Sequence, residues 1–314
     1  MRVLVTGATG FVGRHLCNAL AAAEHEAIAV GGPRDRTPGH ILDLADAAGI
    51  ERLLDAVRPE AIVHLAGQAF VPVSLADPLG TVDVNAVGTA RLLEAVRGVQ
   101  TSAGVPVRTL VVSSAEVYGI HRPERMPLDE STPLLPANPY AASKAAAEAF
   151  ALAWGRSYDL DVLVARPFNH IGPGQDERFA VAAFARQLAA IAAGGPPVMH
   201  VGNLTAQRDF LDVRDVCEAY VALLAYGKGG EVYNICSGHA VRIQEVLRQL
   251  ITIAHVPVEV REDPERMRPS DLPILVGYAS KLRAATGWEP RRTLTETLRD
   301  VYADARARLG APSS

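Results

Sequence analysis

The chain has 314 residues, 49% of them hydrophobic, and its 31 Lys and Arg against 35 Asp and Glu leave a net charge of −4. That length and apolar content suffice for a large core, naturally arranged as two lobes sharing a cleft, and the slightly acidic balance excludes a nucleic-acid binder working through a basic field. The three cysteines, Cys17, Cys217 and Cys236, are odd in number, far apart and outside any C-x-x-C pattern, which excludes a disulfide framework and a cysteine metal site and leaves buried packing as their role. No basic-plus-apolar leader stands before Met1-Arg2-Val3 and no apolar run is long enough to span a bilayer, so a cytoplasmic protein without a membrane partner is expected.

In chain order, Val3 to Val5 begins a short buried strand. The turn Gly7-Ala8-Thr9-Gly10-Phe11-Val12-Gly13 follows it and opens an apolar-periodic helix to about Ala23. Glycines at this G-x-x-G-x-x-G spacing let the backbone turn tightly and approach a pyrophosphate, whose charge then rests on the amides and positive end of the helix. Glu26 to Val30 reads as a second strand, Ile50 to Val57 as a helix, Ala61 to Leu65 as a third strand and Val82 to Val96 as a helix. Strands at Val107 to Ser113 and Asp161 to Arg166 flank an alanine-rich helix from about Tyr140 to Ser157; later come helices from Phe179 to Ala193 and Thr293 to Leu309, with Gly310 to Ser314 expected to fray.

Strands alternating with helices imply an α/β fold with a Rossmann-type, doubly wound parallel sheet. Ligands of such sheets bind outside the carboxyl ends of the strands, which here carry the glycine turn, His64-Leu65-Ala66-Gly67, Ser113-Ser114 and Arg166-Pro167-Phe168-Asn169. Gly7, Thr9, Gly10, Phe11, Val12, Gly13, Leu65, Ala66, Gly67 and Pro167 are therefore candidates on the cofactor side. The second strand ends in Gly31-Gly32-Pro33-Arg34-Asp35-Arg36, without the acid expected directly at that strand end for the ribose of NAD. Arg34 or Arg36 pairing with a 2′-phosphate favours NADP, their alternative being solvated loop charges, and dual use of NAD and NADP stays open. Asp43-Leu44 could border the adenine.

The chemistry concentrates on Tyr140-Ala-Ala-Ser-Lys144. Residues four apart share a helix face, so the Lys144 ammonium can lie beside the Tyr140 phenol and lower its pKa, as suits a proton donor to a carbonyl. Such a pair is common by chance, and its place one strand after Ser113-Ser114 gives it weight.

These pieces together, Gly7-x-x-Gly10-x-x-Gly13, His64-Leu65-Ala66-Gly67-Gln68, Asn85-Ala86-Val87-Gly88-Thr89, Ser113-Ser114-Ala115-Glu116-Val117-Tyr118-Gly119, Tyr140-x-x-x-Lys144, Arg166-Pro167-Phe168-Asn169, Arg208-Asp209-Phe210 and Arg268-Pro269, span nearly the whole chain. They resemble the extended short-chain dehydrogenases/reductases, in the group of nucleotide-sugar epimerases, dehydratases and reductases. The resemblance implies that Ser114 hydrogen-bonds the reacting sugar oxygen, that Tyr140 is the acid/base and that Lys144 holds the nicotinamide ribose. Asn85 would support this network, or be a buried structural amide.

It also implies a nucleotide-binding unit of residues 1–166 with about 207–236, and a smaller C-terminal α/β lobe of about 167–206 with 237–314 that binds a nucleotide-diphosphate sugar. Gln68, Asn169, Gln175, Arg208 and Arg268 would face that substrate, with Ser114 and Glu116, while His170 is read as structural. Within the group the runs Phe168 to Gln175, Arg208 to Val216 and Met267 to Pro273 resemble most the branch that reduces the C4 keto group of GDP-4-keto-6-deoxy-D-mannose, giving GDP-D-rhamnose. Glu116 stands where 4,6-dehydratases place a carboxylate that removes the C5 proton, so a dehydratase is the second reading, a C4 epimerase a third and a non-catalytic NADP sensor a remote fourth. The alanine-rich helices Val82 to Val96 and Tyr140 to Ser157 resemble the pair that forms a four-helix dimer interface in the group.

Overall fold

The computed structural model describes residues 1–35, 39–266 and 272–310; Arg36, Arg268 and the terminal residues from 311, all subjects of expectations above, lie outside it. The elements run β1 (Arg2–Thr6), α1 (Phe11–Ala22), β2 (Glu26–Gly31), β3 (His40–Ile41), α2 (Ala47–Val57), β4 (Ala61–His64), α3 (Val71–Ala76), α4 (Pro78–Val82), α5 (Gly88–Ala103), β5 (Arg108–Val112) and α6 (Pro139–Tyr158). They continue β6 (Val162–Pro167), β7 (Asn169–Ile171), α7 (Ala180–Ala192), β8 (Val198–Val201), β9 (Gln207–Asp212), α8 (Val213–Tyr226), β10 (Val232–Ile235), β11 (Ala240–Arg242), α9 (Ile243–Ala254), β12 (Glu259–Glu262), β13 (Ile274–Leu275), α10 (Ser280–Thr286) and α11 (Leu294–Gly310).

Seven strands form one sheet in the order β10-β6-β5-β4-β1-β2-β3, every pair parallel. The continuous apolar runs of its central strands follow from burial on both faces. Along β1, Val3 and Val5 join a core with Leu16 and Leu20 of α1 and Val216 and Leu223 of α8, whereas Leu4 turns to the opposite core with Leu54 of α2 and Leu93 and Val96 of α5. The period-2 alternation thus feeds two helical layers, and the strand order reverses between β1 and β4, where the carboxyl ends open a crevice.

Local sequence sets the ends of α6. Asn138 caps α6 by accepting from Ala141 N at 2.8 Å, Pro139 takes the first helical position, and Asp159 stops the helix in a left-handed conformation. The helix expected over Val82 to Val96 is interrupted: Asp83–Val87 forms a π-turn between α4 and α5. The wider turn brings Asn85 inward, fully buried, and such insertions recur at functional sites.

The second lobe packs β7, β9, β11 and β13 as one sheet, β8 and β12 as a parallel pair, and α7, α9 and α11 around Phe184, Leu188, Leu247, Leu298 and Tyr302. The segment expected to return to the nucleotide-binding unit at about 207 begins with β9, which pairs with β7, β11 and β13; the chain reaches the large sheet's helical layer with α8 and its edge with β10.

Gly13 shows how tightly the first turn is packed, since a Cβ there would stand 2.3 Å from Gly7 O and 2.5 Å from Ala8 Cα. Both are backbone atoms that cannot rotate away. Gly13→Ala is expected to cost roughly 1–3 kcal/mol in urea unfolding through the forced backbone shift; an unchanged midpoint would contradict this packing.

Candidate active site

The glycine turn and the strand ends enclose a cavity of about 510 Å³. Gly7 has φ +71°, and a Cβ on it would come within 2.9 Å of Ala66 N, so the first turn and the loop after β4 close on each other only through glycine. Gly10 then caps α1, whose N-terminus faces the same space. A backbone cradle with a helix end aimed into it fits a pyrophosphate-containing dinucleotide.

The wall gathers most of the residues singled out from sequence: the turn residues Gly7, Thr9, Gly10, Phe11, Val12 and Gly13, then Leu44, Leu65, Ala66, Gly67 and Gln68, with Ser114, Glu116, Tyr140, Lys144, Pro167, Asn169 and Gln175. Four others lie elsewhere. Arg34 is exposed and off the wall. Asp43 is exposed too, its carboxylate accepting from Ala45 N at 2.9 Å. Asn85 is buried behind the wall, and Arg208 donates to the carbonyls of Gln207 and Leu272 at 2.9 and 2.6 Å.

The acid not found directly at the end of β2 stands four residues after Gly31. The turn Gly32–Asp35 brings Asp35 back onto the wall, where Oδ2 accepts from Thr9 Oγ1 and Gly32 N, both at 2.6 Å. These two donors hold its carboxyl below the usual range. The signal was present as Gly31-Gly32-Pro33, a turn that delays the acid instead of deleting it.

Burial governs the electrostatics. The Lys144 ammonium donates to Val112 O at 2.9 Å, and its removal from water lowers its pKa to about 8. Tyr140 goes the opposite way from the sequence expectation. Desolvation raises it to about 12, the Glu116 carboxylate adds to the rise, and a hydrogen bond with Ser114 opposes it. Lys144 was expected to pull the phenol down, but its proton is directed at the strand end, and in a dry pocket the cost of a phenolate prevails. Tyr140 is therefore held protonated.

Behind the wall, supports fix these groups. Asn85 Oδ1 accepts from Gln68 N at 2.8 Å while Nδ2 donates to Gln68 O and Ser143 Oγ, both at 2.9 Å, tying the loop after β4 to α6 beside Lys144. His64 lies between Thr6 and Thr89, and because the Thr89 hydroxyl donates to Asn85 O, Thr89 can only accept from His64 Nε2. Burial and the Lys144 charge push His64 down to about 3, so it is neutral. Arg166 and Glu148 form a buried ion pair, Arg166 Nη1 reaches the Tyr118 hydroxyl at 2.9 Å, and that hydroxyl donates to Asn234 Oδ1 at 2.7 Å. Tyr118 and Arg166, motif residues to which the sequence assigned no role, anchor the far end of the turn that starts at Ser114. Across from α1 His170 stacks on Phe11, rings 6.2 Å apart, and Gln175 Oε1 is buried beside the cavity with no partner among the described residues.

The sequence pattern of the family described as GDP-mannose 4,6 dehydratase matches residues 4–301. The chain belongs to that family. It lies within the extended short-chain dehydrogenases/reductases, as its motifs implied. This family member is 40% identical over 309 residues to GDP-6-deoxy-D-mannose reductase of Pseudomonas aeruginosa, covering 98% of each chain. It is 32% identical over 256 residues to GDP-mannose 4,6 dehydratase 2 of Arabidopsis thaliana, covering 80% of this chain and 67% of that one. Among solved structures, RMD from Pseudomonas aeruginosa complexed with NADPH superposes with a TM-score of 0.85 at 38% identity over 98% of this chain and all of the other. UDP-glucose 4-epimerase of Thermus thermophilus in complex with NAD gives 0.86 at 34%, over 98% and 99% of the two chains.

Between pH 8 and the ordinary lysine value of 10.5 the unfolded chain holds a proton that folded Lys144 has released. Stability from this group therefore rises with pH across that window. Wild type is expected to gain urea stability relative to Lys144→Met from pH 8 to pH 10; a constant difference would mean that the ammonium is not desolvated.

Proposed function

We propose that this chain is an NAD(P)H-dependent reductase of a nucleotide sugar, converting GDP-4-keto-6-deoxy-D-mannose to GDP-D-rhamnose. The observation carrying this reading is Tyr140, Ser114 and Lys144 on one cavity wall opposite the glycine cradle, in a chain 40% identical over nearly its full length to a GDP-6-deoxy-D-mannose reductase. The bound cofactor supplies a hydride to the C4 carbonyl carbon. Ser114 polarises the carbonyl oxygen, and Tyr140, protonated at neutral pH, donates the proton that the developing alkoxide takes up. Lys144, placed one turn further along α6, orients the cofactor's ribose and supplies positive charge as the phenol gives up its proton. Asn85 and His64 act from behind by fixing the loop Leu65 to Gln68.

The glycine turn Gly7 to Gly13 and the α1 N-terminus hold the pyrophosphate, Leu44 borders the adenine, and Leu65, Ala66, Gly67 and Pro167 complete the cofactor wall. Gln68, Asn169 and Gln175 face the sugar nucleotide, with Arg208 and Arg268 assigned to its diphosphate end by resemblance alone. Residues 1–166, with α8 and β10, form the cofactor unit and the remainder the substrate lobe. A homodimer forms through α4, α5 and α6, supported by Leu79 and Val82 of α4 and Val84 and Val87 of the π-turn that follows it, all of them exposed. The cytoplasm is the proposed compartment, on the three free thiols. No helix among the described residues is long and apolar enough to cross a membrane.

Glu116 supports a second reading. It lies on the wall with Tyr140, its Oε2 accepting from Asn138 Nδ2 at 3.3 Å, in the position of a base for 4,6-dehydration.

Oxidation of NADPH or NADH by GDP-4-keto-6-deoxy-D-mannose, with no keto sugar formed from GDP-mannose, is the expected outcome; keto sugar from GDP-mannose that vanishes in Glu116→Gln would establish the dehydratase instead. Tyr140→Phe should lower kcat by about 10²–10⁴-fold with the NADPH dissociation constant little changed. Asp35 at the cofactor wall repels a 2′-phosphate, so Asp35→Asn is expected to move the kcat/KM ratio toward NADPH by about tenfold, the size of one modest charge contact. An unmoved ratio would remove Asp35 from cofactor choice.

A further inference from the structure

Ser113 follows β5 at the cavity wall with a hydroxyl that no group among the described residues engages. Its backbone is committed, since Ser113 N donates to Ala165 O at 2.8 Å in continuation of the β5–β6 ladder. The residue is only 3% exposed and lies on the cavity wall, and its Oγ is buried with no hydrogen-bond partner among the described residues. The polar groups around it are already engaged. Ser114 Oγ accepts from Glu116 N at 3.2 Å and bonds to Tyr140, and Lys144 Nζ donates to Val112 O.

A buried hydroxyl without a partner destabilises the folded chain, and its presence at a ligand cavity is accounted for when a bound group completes it. Topology says which part of the ligand that is. The glycine turn follows β1 and Asp35 follows β2, while Ser113 follows β5, and the sheet order places β4 between β1 and β5. With neighbouring strands about 4.8 Å apart, the floor from the end of β2 to the end of β5 covers about 14 Å, crossed by a ligand whose pyrophosphate sits between these ends at the glycine turn, one strand from β2 and two from β5. A dinucleotide with its adenosine toward Asp35 therefore has its other half over Ser113.

We infer that the Ser113 hydroxyl is a binding contact for the nicotinamide half of the cofactor, a contact distinct from the proton chemistry of Ser114 and Tyr140. This rests on the reading of the cavity as an NAD(P)H site. Because a hydroxyl donates one hydrogen bond and accepts others, it can serve either a ribose hydroxyl or the carboxamide, and it needs no change of charge to do so.

Ser113→Ala separates this role from a structural one because its two effects have opposite signs. Removing a partnerless hydroxyl should leave the melting temperature of the ligand-free protein unchanged or raise it, while the dissociation constant for NADPH, read by fluorescence titration, rises about five- to twentyfold. ADP and adenosine 2′,5′-bisphosphate, which lack the nicotinamide half, should bind wild type and Ser113→Ala equally within about twofold. A fall of several degrees in the ligand-free protein would make Ser113 a structural hydroxyl and overturn the inference. So would NADPH binding that is unaffected, or weakened only as much as that of the adenosine fragments. Wild type that binds the fragments and NADPH equally well would also overturn it, leaving the cofactor cradle intact. Wild type that binds neither would overturn the cofactor reading itself, and this contact with it.

Discussion

Desolvation at the carboxyl ends of the strands is the constraint on which the rest of this molecule depends. Lys144 and Tyr140 both sit out of water, and burial moves each toward its neutral form, the lysine down to about 8 and the tyrosine up to about 12. A site that left both groups hydrated would not separate their roles in this way, because each would titrate near its free value. The dryness is itself a packing result: two apolar layers close on the sheet from both faces, and the glycine turn comes within backbone contact of the loop after β4. What remains open is a crevice at the reversal of strand order, lined by Tyr140 and by the glycine turn.

Buried polar groups require partners, and the placement of those partners explains much of the architecture behind the wall. The π-turn at Asp83–Val87 departs from regular helix where Asn85 must reach both Gln68 and Ser143, so a local irregularity connects the floor loop to α6. Glu148 is two turns beyond Tyr140 and one beyond Lys144, on the same stripe of α6, and its ion pair with Arg166 fastens that stripe to β6. Breaking one partner of such a pair leaves an uncompensated charge in the interior, which is far more damaging than loss of a surface bridge. The rigid side of the site is thus held by groups that never meet the ligand.

The repetition of strand and helix in the first half was legible because each element carries its own period. Val3 to Val5, Ala61 to Val63 and Val162 to Ala165 are apolar throughout, and the structure turns them into central parallel strands. Short elements were not legible in this way: β3 has two residues and β13 two, too few to show a period, and they exist through pairing with β2 and β9. On the wall, motif residues were found where adjacency in sequence equals adjacency in space, as in the glycine turn or Tyr140 and Lys144. Asp35 escaped because a four-residue turn intervenes between its strand and its return to the crevice.

The direction of the Tyr140 shift shows why spacing alone could not settle the chemistry. A four-residue separation places two side chains on one helix face, but it does not say where the lysine directs its protons or how much water reaches the phenol. Both depend on β5, whose terminal carbonyl at Val112 takes the Lys144 proton and whose next two residues present hydroxyls to the crevice. The Ser114 hydroxyl engages Tyr140, and the Ser113 hydroxyl has no partner among the described residues. One strand end therefore supplies, in three consecutive residues, the acceptor that holds the cation, a hydroxyl turned to the ligand, and the hydroxyl that couples to the acid. This concentration accounts for a wall that is rigid in backbone yet unsatisfied in one side chain: the ladder to β6 fixes the strand, and what the ladder cannot satisfy is left facing the space where a ligand binds.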